Sequence, residues 1–274
     1  ALDLGFSYAE ANLKDKCAIK VIKSNKTDGM ILTSGNDAAG LGCIYGGATV
    51  CTWYPITPST SLAESFTSYC EELRLESKSD KNKFAIIQAE DELAAVGMAI
   101  GANWNGARGF SATSGPGISL MSEFIGLAYF AEVPLVLFDI QRGGPSTGMP
   151  TRTQQSDVLS CAYASHGDTK HVLLIPSDPK ECFDFAAEAF DLADRIQTPV
   201  IVLSDLDLGM NDWTCPEFKW DDTKSFDKGK VLHEKDLEEI ENFGRYLDVD
   251  GDGIPYRTYP GAHPKKGAFF TRGT

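Results

Sequence analysis

An alternation of two residue patterns constrains the fold of this chain more than any other feature of its sequence. From about residue 48 to 208, short β-branched or aromatic runs alternate with longer segments of helical period. This order is typical of a parallel sheet whose strands are joined by helices. The sequence therefore predicts an α/β fold with a doubly wound, mostly parallel sheet and helices on both faces. The predicted strands span residues 50–56, 84–88, 108–113, 135–140, 172–176 and 200–204.

The segment after the fifth predicted strand carries the clearest helix signals. Asp178 can cap the helix, Pro179 suits its first position, and Glu181 completes a capping box. Apolar residues at helical spacing predict a core-facing stripe. The aspartates outside that stripe are expected to face solvent: Asp184, Asp191 and Asp194.

The ends of the chain are less regular than its middle. Residues 30–212 form the predicted main domain, residues 1–29 a linker or the end of a preceding domain, and residues 213–274 an irregular extension without a core of its own. The chain opens at Ala1 rather than at methionine. Removal of an initiator methionine and an internal piece of a longer polypeptide both explain this start.

The charge balance narrows the choice of partners. The 274 residues include 25 Lys and Arg against 39 Asp and Glu, a net charge of −14. Non-specific binding to nucleic acid or to anionic membranes needs a cationic surface, so small molecules or protein partners are favoured. The chain has neither an apolar stretch of about 18 residues nor the basic-then-apolar start of a signal peptide. These features predict a cytoplasmic protein.

The cysteines do not form a ligand pattern. The chain has seven, an odd number, and they are scattered without a C-x-x-C pair. This usage predicts reduced thiols that mostly fill the core, rather than ligands of zinc or an iron–sulfur cluster.

Two glycine- or aspartate-rich segments each have a functional and a purely structural interpretation. The spacing of glycines over 35–47 departs from a dinucleotide fingerprint, so a closely packed helix is favoured over nucleotide binding. Residues 248–254 copy the first half of a calcium loop, but its twelfth position is Tyr259 instead of glutamate. A carboxylate-rich turn is favoured over a calcium site.

A third motif supports an alternative hypothesis of hydrolysis. Residues 144–148 match the G-x-S-x-G elbow of serine hydrolases and follow a predicted strand, with Ser146 as the nucleophile. His166 or His171 would be the base. The elbow needs a helix directly after the serine, and Pro150 removes an early helical N–H group, which argues against this hypothesis.

Two further segments place polar groups just beyond predicted strands. Glu92 begins a helix that is otherwise small or apolar, so its carboxylate could exchange a proton in a dry pocket. In YPITPST, residues 54–60, two prolines fix the backbone, and Thr57 could present its hydroxyl group to an anion. Ordinary helix caps are the competing interpretation of both segments.

Taken together, four ordered motifs resemble the α chain of 2-oxoacid:ferredoxin oxidoreductases, and most of all the 2-oxoglutarate type. They are YPITPST at 54–60, AEDELAAVGMAIGA at 89–102, GARGFSATSGPGISLMSE at 106–123 and QRGGPSTGMPTRTQQSD at 141–157. The resemblance covers about residues 30–212. It implies the thiamine-diphosphate-binding fold, in its pyrimidine-binding form, with the cofactor held between this chain and a β subunit.

The resemblance also implies roles for individual residues. Glu92 matches the catalytic glutamate that hydrogen-bonds the aminopyrimidine ring of thiamine diphosphate. Thr57 and Arg142 match residues that contact the carboxylate of the substrate, and a guanidinium fork suits a carboxylate. Pro55 and Thr57 are expected to contact the cofactor together with Glu92.

Finally, the resemblance implies a larger enzyme. Such enzymes convert a 2-oxoacid to acyl-CoA and CO2, using coenzyme A, and pass electrons to ferredoxin. Mg²⁺ and a [4Fe-4S] cluster are expected in the β subunit, a γ domain before this chain, and a transketolase-like domain after it. The small residues Ala95, Gly97, Ala99 and Gly101, with the 54–60 loop, are expected to meet the β subunit.

Overall fold

The computed structural model describes residues 1–14, 16, 19, 21–74 and 82–267. The helices within these residues are α1 (Leu2–Asn12), α2 (Gly35–Tyr45), α3 (Thr60–Leu73), α4 (Glu92–Trp104), α5 (Gly115–Ala131), α6 (Val158–Ala162), α7 (Pro179–Ile196), α8 (Leu206–Met210) and α9 (Glu234–Glu239). The strands are β1 (Met30–Thr33), β2 (Val50–Trp53), β3 (Ala85–Gln88), β4 (Gly109–Thr113), β5 (Leu135–Gln141), β6 (Val172–Leu174), β7 (Pro199–Asp205) and β8 (Trp213–Pro216).

The six predicted strands form one parallel sheet in the order β3-β2-β4-β5-β7-β6. This confirms the predicted fold class. The first strand is shorter than predicted and ends at Trp53, because Tyr54 and Pro55 already leave the sheet. β1 and β8 lie apart and pair with each other as an antiparallel ribbon.

Helices cover both faces of the sheet, and the alternation of side chains along β5 shows how the core divides. Phe138 points into a cluster that includes Phe66 and Phe183, from α3 and α7. Leu137 points into the opposite cluster, which includes Met121 of α5. Both central strands, β5 and β7, are buried along their whole length, which explains their continuous apolar runs.

The glycine-rich segment is a packing surface. It forms α2, whose N-cap is Ser34. A Cβ atom added to Gly42 would lie 2.3 Å from the carbonyl oxygen of Phe183 in α7, so only glycine allows this approach. The interpretation of residues 35–47 as a closely packed helix is confirmed.

Of the predictions made for α7, the N-cap is confirmed, whereas the capping box and the exposure of two aspartates are wrong. Asp178 caps the helix by accepting a hydrogen bond from the Glu181 N–H at 2.8 Å. The capping box is wrong, because the Glu181 carboxylate accepts bonds from the N–H and hydroxyl of Ser177. The prediction that Asp191 and Asp194 face solvent is also wrong, since their side chains are only 8% and 6% exposed.

The two buried aspartates join the body of the domain to its C-terminal extension. Arg108 bonds Asp194 through Nε at 2.8 Å and Asp191 through Nη2 at 2.7 Å. Arg257, from the extension, bonds Asp194 at 2.8 Å. Gln197 Nε2 also donates to the Pro255 carbonyl oxygen at 2.6 Å. The extension is therefore held against α7, while the domain boundaries at residues 30 and 212 stay a prediction.

The carboxylates of the aspartate-rich turn, residues 248–254, are paired with a lysine from an earlier part of the chain. Nζ of Lys230 lies 2.7 Å from Asp250 Oδ2, 2.8 Å from Asp252 Oδ1 and 3.0 Å from the Ile254 carbonyl oxygen. Asp248 instead accepts hydrogen bonds from the N–H groups of residues 251 and 253. The structure therefore favours a carboxylate-rich turn neutralised by a lysine.

Six of the cysteines are buried free thiols, as predicted for core residues: Cys43, Cys51, Cys70, Cys161, Cys182 and Cys215. Cys17 lies outside the described residues. Within the described part of the chain, no group of three or more His, Cys, Asp or Glu residues is arranged to hold a metal ion. Nor does any helix there have the length and apolarity to cross a membrane.

Candidate active site

The sheet topology selects one place for a site. The chain runs from β2 outward to β3 and then returns past β2 to β4, so the strand order reverses between β2 and β4. In open α/β sheets, ligands bind at the carboxyl ends of the strands beside such a reversal. The residues that follow β2, β3 and β4 there are the 54–60 loop, Glu92 and the start of α5.

Glu92 is the first residue of α4 and is 7% exposed. The neighbouring acids differ from it, since Asp91 caps the helix by accepting from the Ala94 N–H at 2.7 Å and Glu90 is exposed. No described residue forms a hydrogen bond or ion pair with the Glu92 carboxylate. Its Cγ lies 3.0 Å from where a Cβ of Gly117 would be, so glycine at 117 lets α5 approach. Glu92 is thus a nearly buried acid that is open to a ligand.

Arg142 connects two loops at the carboxyl ends of the strands, the 54–60 loop and the loop that contains Thr147. Its Nη1 donates to the Thr57 carbonyl oxygen at 2.6 Å, and its Nη2 donates to the Thr147 carbonyl oxygen at 2.8 Å. The residue is 7% exposed, and burial lowers the pKa of its guanidinium group. The structure therefore brings Thr57 and Arg142 together, through the backbone of Thr57. The residues Pro55 and Thr57 are exposed beside this contact.

A cavity of about 640 Å³ opens next to Arg142. Its walls are the first turn of α5, at Gly115 and Pro116, and the 143–157 loop, which includes Ser146 and Asp157. Glu92 does not line this cavity. Its Cγ lies against Gly117, in the first turn of α5.

Two acids near the cavity were not singled out from the sequence. Asp157 closes the 143–157 loop, and burial raises the pKa of its carboxyl group. Asp139 is fully buried in β5, and burial, with the charge of Asp157, raises its pKa to about 8. The signal for Asp139 was a single carboxylate inside the otherwise apolar run LVLFDI.

The geometry around Ser146 does not form a nucleophile elbow. Ser146 is exposed with φ of +59°, and the next helix begins only at Val158. The Nε2 atom of His171 lies 2.9 Å from the Ala164 carbonyl oxygen, and His166 faces Glu123. Neither the serine nor the histidines are placed as the hydrolase hypothesis requires.

The small residues of α4 divide between two surfaces. Ala95 and Ala99 are fully buried in the core of this chain, so the expectation that they meet another subunit is wrong. Gly97 packs near Phe124, whereas a Cβ added to Gly101 would meet nothing within 4 Å. The exposed side of α4 therefore includes Leu93 and Gly101, with the half-buried Gly97 between them.

Comparisons with known proteins agree with this geometry. The family described as "Pyruvate flavodoxin/ferredoxin oxidoreductase, thiamine diP-bdg" matches residues 41–245. The chain is 47% identical over 171 residues to the 2-oxoglutarate synthase subunit KorA of Methanothermobacter marburgensis, covering 62% of this chain and 43% of that protein. It is 42% identical over 223 residues to the α subunit of 2-oxoacid:ferredoxin oxidoreductase 1 of Aeropyrum pernix, covering 80% of this chain and 34% of that protein.

A solved structure resembles nearly the whole chain. It is the 2-oxoglutarate:ferredoxin oxidoreductase from Magnetococcus marinus with 2-oxoglutarate, coenzyme A and succinyl-CoA bound. The TM-score is 0.79 at 33% identity, covering 98% of this chain and 44% of that one. The present chain thus spans less than half the length of these relatives.

Proposed function

Because the chain belongs to the family of thiamine-diphosphate-binding domains of pyruvate flavodoxin/ferredoxin oxidoreductases, we propose that it is the α part of a 2-oxoacid:ferredoxin oxidoreductase. The proposed reaction converts a 2-oxoacid and coenzyme A to acyl-CoA and CO2, with electrons passed to ferredoxin. One observation carries the proposal: Glu92, a nearly buried carboxylate without a described partner, lies at the reversal of strand order.

The surroundings of Glu92 fit the aminopyrimidine ring of thiamine diphosphate. The Glu92 carboxylate has no described partner on a residue that is 7% exposed, and a ring nitrogen with its N–H group would supply one. When bound, thiamine diphosphate supplies the nucleophilic carbon that permits loss of CO2 from a 2-oxoacid. Glu92 would hold the ring and exchange a proton with it. Pro55 and Thr57 are proposed to border the cofactor on the 54–60 loop.

Arg142 is proposed to bind the carboxylate of the 2-oxoacid, with Thr57 beside it. A guanidinium group has five N–H donors, and two of those in Arg142 hold the carbonyl oxygens of Thr57 and Thr147. The other three have no described partner, and Arg142 borders the cavity. A carboxylate entering there would accept a two-pronged bond from a cation that is already fixed in place.

The substrate is proposed to be 2-oxoglutarate. The Magnetococcus marinus enzyme, which matches 98% of this chain, has 2-oxoglutarate and coenzyme A bound. The Methanothermobacter marburgensis relative, at 47% identity, is a 2-oxoglutarate synthase subunit. The relative from Aeropyrum pernix carries the broader name of 2-oxoacid:ferredoxin oxidoreductase, so the choice among oxoacids needs measurement.

We also propose that a β subunit completes the site and holds Mg²⁺ and the [4Fe-4S] cluster. The described cysteines of this chain are buried core thiols, and burial raises the pKa of Cys70 to about 11. Cluster ligation requires accessible thiolates. The exposed side of α4, with the exposed Leu120 of α5, is the surface proposed to meet the β subunit. We propose that the assembled enzyme is cytoplasmic.

Reconstitution tests the proposal. The chain, as part of its full subunit, is combined with the β subunit, thiamine diphosphate, Mg²⁺, coenzyme A and ferredoxin, and 2-oxoglutarate-dependent reduction of ferredoxin is followed. Omission of any one component is expected to abolish reduction, and pyruvate serves as the comparison substrate. Ester hydrolysis by this chain alone, lost in Ser146→Ala, would favour the hydrolase hypothesis instead.

A further inference from the structure

Asn36 lies in the glycine-rich helix α2, to which the proposed reaction gives no role. It is the second residue of that helix and is 1% exposed. Asparagine near a helix start commonly caps the helix. The cap of α2 is instead Ser34, whose hydroxyl oxygen accepts a hydrogen bond from the Asp37 N–H at 3.1 Å. The side-chain amide of Asn36 is directed to another part of the chain.

The N–H donors of this amide bond the segment that follows β2. Nδ2 of Asn36 donates to the Pro58 carbonyl oxygen at 2.9 Å and to Ser61 Oγ at 2.8 Å. Because a carbonyl oxygen only accepts, the atom of the amide that faces Pro58 is its nitrogen. On the other side, Oδ1 is buried without a partner, and a Cβ added to Gly209 of α8 would lie 2.8 Å from it. The amide thus fits between α8 and the 54–60 loop, with its donors on the loop side.

The 54–60 loop is held from outside at two consecutive carbonyl groups. Asn36 donates to that of Pro58, and Nη1 of Arg142 donates to that of Thr57 at 2.6 Å. The N–H groups of the two residues after Pro58 both donate to a carbonyl oxygen earlier in the loop, that of residue 56. These backbone bonds within the loop therefore leave the two carbonyl groups to side-chain donors. Pro58 is buried on the side of Asn36, whereas Thr57 is exposed.

We propose that Asn36 is a positioning residue of the candidate active site, because it holds the Pro58 carbonyl group and thereby fixes where Thr57 lies. A bond to a carbonyl group orients the planar peptide unit that contains it, and the ring of Pro58 restricts the rotation between the two units that are held. Thr57 then keeps its carbonyl oxygen on Arg142 and its side chain at the surface. The effect on substrate rests on the proposed function, whereas the hold on the loop does not.

Hydrogen exchange of the full subunit, followed by mass spectrometry, tests the hold on the loop. The wild-type peptide that contains residues 54–60 is expected to exchange slowly, and in Asn36→Ala about tenfold faster, because a buried carbonyl group loses its donor. Ser65→Ala is the matched control: it removes a different bond between α2 and α3, to Asp37, and should leave the loop unchanged. Wild-type exchange as fast as in an unstructured peptide, or equal exchange in the wild type and Asn36→Ala, would overturn the proposal.

Steady-state kinetics of the reconstituted enzyme tests the positioning role. Asn36→Ala removes the amide, and Asn36→Asp keeps the shape of the side chain but presents only acceptors to the loop. In both variants the KM for 2-oxoglutarate should rise about tenfold, with a smaller change in kcat, whereas Ser65→Ala should keep the wild-type KM. A purely structural role would reduce the amount of active enzyme, and hence the apparent kcat, without a change in KM.

The outcomes separate this proposal from the proposed function. A wild-type KM in both Asn36 variants, or the failure of both to assemble with the β subunit, would overturn positioning and make Asn36 a residue of the fold alone. An inactive wild-type enzyme would count against the proposed function instead. Hydrogen exchange would then still decide whether Asn36 holds the 54–60 loop.

Discussion

Asp194→Asn is expected to destabilise the domain strongly, although it replaces only one oxygen by an NH2 group on a residue that does not line the cavity. The two carboxylate oxygens of Asp194 accept separate bonds at 2.8 Å, from Arg108 Nε and from Arg257 Nη2. The side chains of Asp194, Arg108 and Arg257 are 6%, 2% and 5% exposed. Asparagine has one acceptor oxygen, and its NH2 group would face a guanidinium donor.

The expected magnitude follows from this burial. Removing one partner of a buried ion pair costs about 3 to 5 kcal/mol, whereas an exposed pair contributes about 0 to 1 kcal/mol. Asp184→Asn is the matched control, because Asp184 lies on the same helix and pairs with Lys180 at a site where the side chains are 41% and 48% exposed. The free energy of unfolding, measured in urea, should fall by about 3 kcal/mol or more in Asp194→Asn and by less than about 1 kcal/mol in the control.

The same substitution should loosen the C-terminal extension. Arg257 is one of the contacts that hold residues 213–267 to α7. Faster proteolysis within that segment is therefore expected in Asp194→Asn, at denaturant concentrations where the control stays intact. A loss of stability within about 1 kcal/mol of the control would refute the interpretation that this buried network joins the extension to the domain.

Other parts of the molecule give predictions of different kinds. Gly42→Ala should lower the free energy of unfolding by about 1 to 3 kcal/mol, because the added methyl group overpacks α2 against α7. Gly101→Ala, in open space, should leave the free energy of unfolding unchanged or raise it by up to about 1 kcal/mol. Urea unfolding of the two variants tests both expectations. Arg142→Lys should raise the KM for the oxoacid and leave thiamine diphosphate binding unchanged, because lysine lacks the planar fork. Arg152→Lys, at an exposed position, is the control and should change neither quantity. A reduced cofactor affinity in Arg142→Lys would contradict the assignment of Arg142 to the substrate. Calcium at about 1 mM should not raise the melting temperature, because Lys230 already occupies the oxygens of the turn, and a calcium-dependent increase would show that this interpretation fails.

The parallel sheet could be predicted because its signal is local. Each strand is a short run of β-branched or aromatic residues, and central strands that are buried on both faces read as continuous apolar runs. The end of β2 was placed too late, since a run such as VCTWYPI contains no residue before Pro55 that forbids a strand. The cap at Asp178 was equally local, lying three residues from the N–H group that it satisfies.

The errors on α7 and α4 have one physical cause. Helical period identifies a polar face but not what lies against it, and Asp194 is paired with Arg108, 86 residues earlier in the chain. In the same way, the stripe of Ala95 and Ala99 was read as a subunit interface, although it packs within this chain. Small residues on a helix indicate a close neighbour without saying which chain supplies it.

The candidate site shows the same division. The position of Glu92 at a helix start was readable from its apolar surroundings, whereas its role came from the resemblance of whole motifs. The contact between Arg142 and Thr57 joins residues 85 apart in sequence and is made by a backbone carbonyl, which no side-chain pattern specifies.

The central claim, that Glu92 is the acid that holds and protonates the cofactor ring, is tested most directly by comparing Glu92→Gln with Glu90→Gln in the reconstituted enzyme. Glu90 is exposed and lies two residues earlier, so the two variants make the same chemical change on either side of the cap of α4. An amide cannot hold or release the proton. Glu92→Gln is expected to abolish 2-oxoglutarate-dependent reduction of ferredoxin with an unchanged melting temperature of the chain, and Glu90→Gln to retain wild-type turnover. Near-normal turnover in Glu92→Gln would contradict the proposed mechanism.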